Sequence, residues 1–454
     1  MKLCSLFTVL LIIVVACLLF DADRVVADWP TYMHDNERTG ITTEKLTLPL
    51  GLQWIHESRH PPRPAWPPSA KRDHWGQKQL SQRVIFDRAH HVVAGDGRII
   101  FGTSADDKVI CLDQQSGREL WRFFSEGPVR LAPSLDSGRV YFGSDDGCVY
   151  CLKADTGDLV WKNRVAPESR RIPGNERLIS AWPVRSGVVI FDQQIRCTAG
   201  IFPRQGAYQF TLDAKTGEKL AQAPMDISPQ GYLQRRGDNI YFDSGRSGMI
   251  FWARTDRRVV WPVQSLKEDD KTSPRPSSII GTAHLRFLGS NGKVTALDAR
   301  SKQEQWSASV DGQVHSLAVS DGALLVSTDR GKIYCFTSGS PVDVPPVIRA
   351  TTKVPRDSEG AVRSNFSSAA ERILAETEVN QGYCLVLGSD TGRLAYELAV
   401  RSDLQIIGIE SDQRMVSQSR RMLDRAGVYG TRVTINHVPL DKLPYADYLF
   451  NLIV

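Results

Sequence analysis

The stretch "CLKADTGDLVW", Cys151 to Trp161, decides the fold. It opens on a short β-prone run, turns at Thr156-Gly157 and ends on a tryptophan four residues past the glycine. The upstream stretch "CLDQQSGRELW", Cys111 to Trp121, has the same layout around Gly117, and the two tryptophans are 161 − 121 = 40 residues apart. Alignment on the turn yields further copies. "TLDAKTGEKLA" keeps Asp213 and Gly217 but has Ala221 in the tryptophan place, "FWARTDRRVVW" keeps Trp261 with Arg257 at the turn, and "ALDARSKQEQW" keeps Asp298 and Trp306 with Lys302 at the turn. "GKIYCF" starts one more copy and stops at Phe336.

A second strand precedes each copy: "RIIFGTS", "RVYFGSD", "GVVIFDQ", "NIYFDSG", "LRFLGSN" and "LLVSTDR". Most end in Gly, Asp, Ser or Asn, a hairpin signal. Several short strands per unit at a period near 40 predict an all-β propeller of about six blades, because one four-stranded sheet cannot bury both faces alone. The tryptophan then starts the outermost strand and packs between adjacent blades, while the glycine admits the positive φ of a tight turn. Trp121 and Trp161 are expected to be almost completely buried. The pattern A-x-D-x-x-T-G-x-x-x-W resembles the tryptophan-docking repeat of PQQ-type propellers, over about residues 50–340. That family includes quinoprotein alcohol dehydrogenases and a non-enzymatic lipoprotein of bacterial outer-membrane protein assembly.

"LGLQWIHES", Leu50 to Ser58, reads as a lone outer strand with Trp54 in the docking place. Either it completes the last blade and closes the ring, or further blades follow the C-terminal segment. The proline-rich stretch 60–76 is expected to be a surface excursion. In the quinoprotein dehydrogenases PQQ lies beside calcium under a vicinal Cys-Cys disulfide; no Cys-Cys pair occurs here, and no calcium set can be placed by motif. The resemblance therefore does not extend to PQQ binding. Asp106-Asp107 and Asp145-Asp146 read as solvated hairpin tips, and adjacent His90-His91 as pointing to opposite faces of a strand.

Bulk composition adds bounds. A chain of 454 residues with 41% hydrophobic and 24% charged residues is an ordinary globular protein of two or three domains. A formal charge of +5 from scattered residues implies no nucleic-acid partner. Lys2, the apolar run 6–20 and "VVADW" have the layout of a signal peptide over residues 1–27, cleaved after Ala27. The run is shorter than the roughly 20 residues of a spanning helix. Export to the periplasm or beyond is expected, the alternatives being an anchor through residues 6–20 or lipidation at Cys17, so that any membrane contact comes through this segment alone. Cys148 and Cys151 sit in a strand, where positions three apart face opposite ways. They read as buried hydrophobes, and no metal site is expected.

From "SGSPVDVPPV" the texture changes. Residues 341–363 read as a linker after a propeller over 28–340, and 364–454 as strand-turn-helix units of a parallel α/β sheet. The turn "VLGSDTGRL" resembles the AdoMet-binding motif of class I methyltransferases. Gly388 and Gly392 match its outer glycines, Asp390 replaces the middle one, and Val386 stands where the family has an acid. The resemblance implies that Gly388, Asp390 and Gly392 approach the methionine part of S-adenosyl-L-methionine, Glu410 holds the ribose hydroxyls, and Asp441 contributes on the adenine side. A dinucleotide-binding Rossmann module and a nucleotide-free α/β segment are the alternatives. The chain stops at Val454 in what should be the fourth strand, so the Rossmann-like domain is read as truncated, and no catalytic residue can be assigned. The expectation is a non-catalytic scaffold binding a protein or cell-envelope component. Its alternatives are a methyltransferase whose propeller positions the substrate and, further off, a PQQ-dependent dehydrogenase.

Overall fold

The structure is a computed structural model, and it describes residues 28–65, 86–174, 177–237, 239–243, 250–254, 263–265, 278–353 and 360–454. Residues 1–27, expected to be a signal peptide, lie outside these residues, as do Arg257, Trp261 and most of the 60–76 stretch. Four sheets are four-stranded antiparallel blades, spanning Val93–Phe124, Ser134–Arg164, Val189–Met225 and Gln234–Ser265. A seven-stranded sheet supplies the fifth and sixth blades. Its strand Glu304–Ser320 serves both: residues up to Gln313 pair with Leu285–Asp298, and Val314–Ser320 with Ala323–Thr328.

The ring closes on itself. Leu50–Glu57 pairs antiparallel with Lys332–Ser338, so the outer strand of the sixth blade comes from the start of the chain. Val347–Arg349, expected to be linker, adds in parallel to the outer edge of that strand.

The tryptophans dock as the repeat requires, and onto a defined partner. Each indole Nε1–H donates to a carbonyl in the neighbouring blade: Trp54 to Gln114 at 3.0 Å, Trp121 to Ala154 at 3.1 Å, Trp161 to Ala214 at 3.2 Å. Trp306 donates to Leu50 at 2.9 Å. Each of the first three rings covers the turn glycine of the next blade. A Cβ on Gly117 would lie 2.6 Å from Trp54 Cδ2, and one on Gly157 2.5 Å from Trp121 Cε3. The glycine therefore answers two demands, a φ of +73° at Gly157 and room for a ring. Trp121 is buried, but Trp161 is only half-buried, against expectation. Trp54 is 1% exposed, with Ile348 from the added strand packed beside it; among the described residues no such strand adds to the second blade.

Gly157→Ala should cost at least about 2 kcal/mol, from left-handed backbone strain and displacement of the Trp121 ring. Urea unfolding monitored by circular dichroism measures it; an unchanged midpoint would refute the docking geometry.

Residues 28–44 pass the innermost strands of all six blades on the side of their hairpin turns. Trp29 exchanges backbone hydrogen bonds with Ala94, Pro30 O accepts from Leu135 N, and Asn36 bonds both Ile190 O and Arg235 N. Thr42 N donates to Gly281 O, and the Glu44 carboxylate accepts from Gly322 N. Buried Arg38 donates to Leu233 O at 2.8 Å.

Candidate functional site

The C-terminal residues form a parallel sheet in the order Val433–His437, Asp403–Glu410, Gln381–Leu387, Leu452–Ile453. Arg393–Arg401 and Gln413–Arg425 cover one face through Ala395, Leu398, Val416 and Leu423. Helix Gly360–Thr377 begins inside the segment expected to be linker. Chain order reverses between Gln381–Leu387 and Leu452–Ile453, and such a switch point is where open α/β sheets bind ligands.

The glycine turn lies at the end of Gln381–Leu387, next to this switch point. Gly388 has φ +65° and open space where a Cβ would be, and Asp390 is exposed with φ +44°. Gly392 caps helix Arg393–Arg401 at φ +78°, where a Cβ would crowd Ser419. Glu410 joins the group, because Asp390 N donates to its Oε2 at 2.9 Å. Its Oε1 accepts from Ser411 N at 2.8 Å and Asp412 N at 3.0 Å. The carboxylate that a ribose would need thus already accepts from three backbone donors, one on Oε2 and two on Oε1, which leaves acceptor capacity on Oε2. Val386 is buried and apolar, and Asp441 lies in an exposed turn after Val433–His437.

The other face of this sheet meets the propeller. Leu385, Ile407 and Ile409 pack with Leu178 of the hairpin Arg171–Ser180, and Arg171 N donates to Pro444 O at 2.8 Å. Buried charges cross the same boundary. Arg420 donates to Glu126 at 2.5 Å, and Lys108 bridges Asp106 at 2.8 Å and Asp424 at 2.7 Å. Arg122 also pairs with Asp424. Burial alone would raise the Glu126 carboxyl, but Arg420, Lys162 and Arg171 more than offset this and hold it at about 2.

The acidic turns are therefore not solvated tips. Asp106, Asp107, Asp145 and Asp146 are all buried. Asp145 accepts from Arg130 at 2.6 Å and from Arg185 at 2.9 and 3.0 Å, while Arg130 reaches Asp87 at 3.1 Å. Arg177 pairs with Asp107. None of these arginines stands at a local spacing from its acid, so the sequence carried no signal for them. On the near side, the first described residues of the excursion join this network: Arg130 donates to Arg63 O, and Ala65 N donates to Asp87. His90 and His91 are buried, and burial pushes them down to about 4 and about 3, so both rings are neutral. His90 packs on Phe101 and His91 on Tyr32 and Tyr232, in different directions as expected. Cys148 and Cys151 belong to different apolar clusters. Among the described residues no group of three or more His, Cys, Asp or Glu is placed to hold a metal ion.

A family model described as outer membrane protein assembly factor BamB matches residues 64–210 and 290–342. The protein of that name from Yersinia pestis is 23% identical over 55% of this chain and 64% of its own length. The 1-butanol dehydrogenase (quinone) of Thauera butanivorans is 25% identical over 45% of this chain and 33% of its own. The chain thus spans less than two thirds of either relative. A quinohemoprotein alcohol dehydrogenase from Comamonas testosteroni superposes with a TM-score of 0.48 at 12% identity, covering 78% of this chain and 86% of that one. Four-stranded blades, tryptophans docked on the next blade's glycine and the matched repeats make residues 50–338 a β-propeller of PQQ-like repeats.

Proposed function

We propose that the protein is an exported, non-catalytic scaffold whose propeller binds a protein of the cell envelope. The observation that carries this is that the chain itself lies along the inner strands on one side of the propeller and over the turns of the first blades on the other. Residues 28–44 bond to the innermost strands on one side. On the other, the Arg130–Asp145–Arg185 network and the α/β unit cover the turns of the first two blades. A partner then meets the outer wall, where Leu120, Leu159 and Leu220 stand 52%, 48% and 44% exposed on three successive outer strands. The relatives named for outer-membrane protein assembly and the apolar leader 6–20 agree with this setting.

In this reading the α/β unit is a methyltransferase-like remnant that caps the propeller. Glu410 is held by backbone donors, and Asp390 puts a carboxylate in the turn where the resemblance expects a bare glycine. A second reading, an AdoMet site served by the propeller, is favoured by the turn's place at the switch point and the open space at Gly388.

Photo-crosslinking from a benzoylphenylalanine at position 159 in intact cells, with equilibrium dialysis against labelled AdoMet, separates the two. A single envelope-protein adduct and no saturable AdoMet binding are expected. Micromolar AdoMet binding abolished by Glu410→Ala, without an adduct, would replace the scaffold by the methyltransferase.

A further inference from the structure

A groove of about 520 Å³ lies at the seam between the sixth and first blades, on the hairpin-turn side of the ring. Gln53, Asp113, Gln114, Gln115, Asp321 and Thr337 line it, and no lysine or arginine is among the lining residues. That volume falls in the range of small-ligand sites. Its polar groups are two carboxylates, three side-chain amides and one hydroxyl.

Gln114 is the anchor of the site. It is 7% exposed; its backbone carbonyl receives the Trp54 indole and its Nε2 donates to Ser320 O at 2.7 Å. Its side-chain carbonyl Oε1 is buried with no hydrogen-bond partner. A buried acceptor left unpaired costs about 1–3 kcal/mol, which a donor entering the groove would relieve.

More acid stands behind the lining. Asp28 abuts Gly95, and burial and then the Asp96 charge push its carboxyl up. Glu44 is pushed up by burial and by Asp321 and Asp28, although its bond from Gly322 N opposes this. Oδ1 of Asp28 and Oε2 of Glu44 are buried without a partner. Asp113 Oδ1 is partly committed, accepting from Ser116 N and Oγ. Arg98 stands opposite Asp113 in the strand pairing and spends an Nη1–H on the Asp96 carbonyl.

We infer that this groove binds an organic cation bearing amine or guanidinium groups, with Asp321 and Asp113 supplying charge and Gln114 Oε1 accepting a hydrogen bond. Such a group comes either from a free polyamine or from a basic side chain of an extended peptide. The site is separate from the outer wall assigned to the scaffold's partner, and neither reading depends on the other.

Isothermal titration of the full chain with spermidine, and separately with acetyl-Lys-Gly-Lys-amide, tests the inference. Saturable binding with a Kd below about 1 mM is expected for at least one probe, weakened about tenfold by Asp321→Asn. Asparagine keeps the left-handed backbone of this exposed turn residue, so the variant should fold. Gln114→Met should weaken binding as well, and Asp158→Asn, on a distant exposed turn, should not. Tighter binding of the peptide assigns the groove to a protein segment, and tighter binding of spermidine to a free polyamine. Failure of both probes to saturate, or wild-type affinity in Asp321→Asn, overturns the inference.

Discussion

Trp54→Ala is expected to lower unfolding free energy by about 3–5 kcal/mol, the cost of removing a large buried aromatic. The ring is 1% exposed, lies over Gly117 and beneath Ile348, and loses its hydrogen bond to Gln114 O on truncation. The same change at Trp161 removes a half-buried ring from an uncovered blade and should cost distinctly less. Trp54 also sits in the strand that closes the ring, so its loss loosens the contact between the first and last blades together. Denaturant unfolding of the two variants in parallel provides the comparison. A Trp161 variant as damaged as the Trp54 variant would show that burial does not govern the docking energy.

The second large effect is expected at the boundary between the propeller and the α/β unit. Arg420→Met leaves Glu126 buried with its closest cation gone, and should destabilise by about 3–5 kcal/mol. The pH profile identifies the cause. Glu126 is held at about 2 in the folded protein, below the value of about 4.3 for an unfolded glutamate. Its contribution is therefore fully present above about pH 4.3 and disappears as pH falls toward 2. In Arg420→Met the folded carboxyl rises, so the loss of stability over that acid window should become shallower. A Glu126→Gln/Arg420→Met double variant should recover part of the loss, since neither unpaired charge remains. Acid limbs that superpose for wild type and Arg420→Met would remove Glu126 from this role.

The strands and the number of blades, about six, were legible because they are written locally, whereas closure of the ring by the first outer strand was one of two open alternatives until the pairing of Leu50–Glu57 with Lys332–Ser338 decided it. Each blade repeats a turn and a tryptophan at fixed spacing, and Trp54 advertises a lone outer strand at the other end of the chain. The grouping of Gly388, Asp390, Gly392 and Glu410 was legible for the same reason, since a strand-turn-helix fixes where such residues meet. Two features were not. The acidic turns read as exposed because a short Asp-Asp pair at a hairpin has no local mark of burial; their partners Arg130, Arg177 and Arg185 arrive from other segments. The use of Glu410 as a clamp on its own turn was equally hidden, since a free ribose-binding carboxylate and an occupied one have the same sequence.

Closure of the ring by Leu50–Glu57 has a consequence for the order of events during synthesis. The strand leaves the ribosome early, yet its partner Lys332–Ser338 follows only after five blades have been translated. Until then a strand with exposed aromatic and aliphatic residues has an unpaired edge, the condition under which chains stick to one another. Contacts of such long sequence separation also slow folding. A chain released before residue 338 lacks the strand that pairs with this edge.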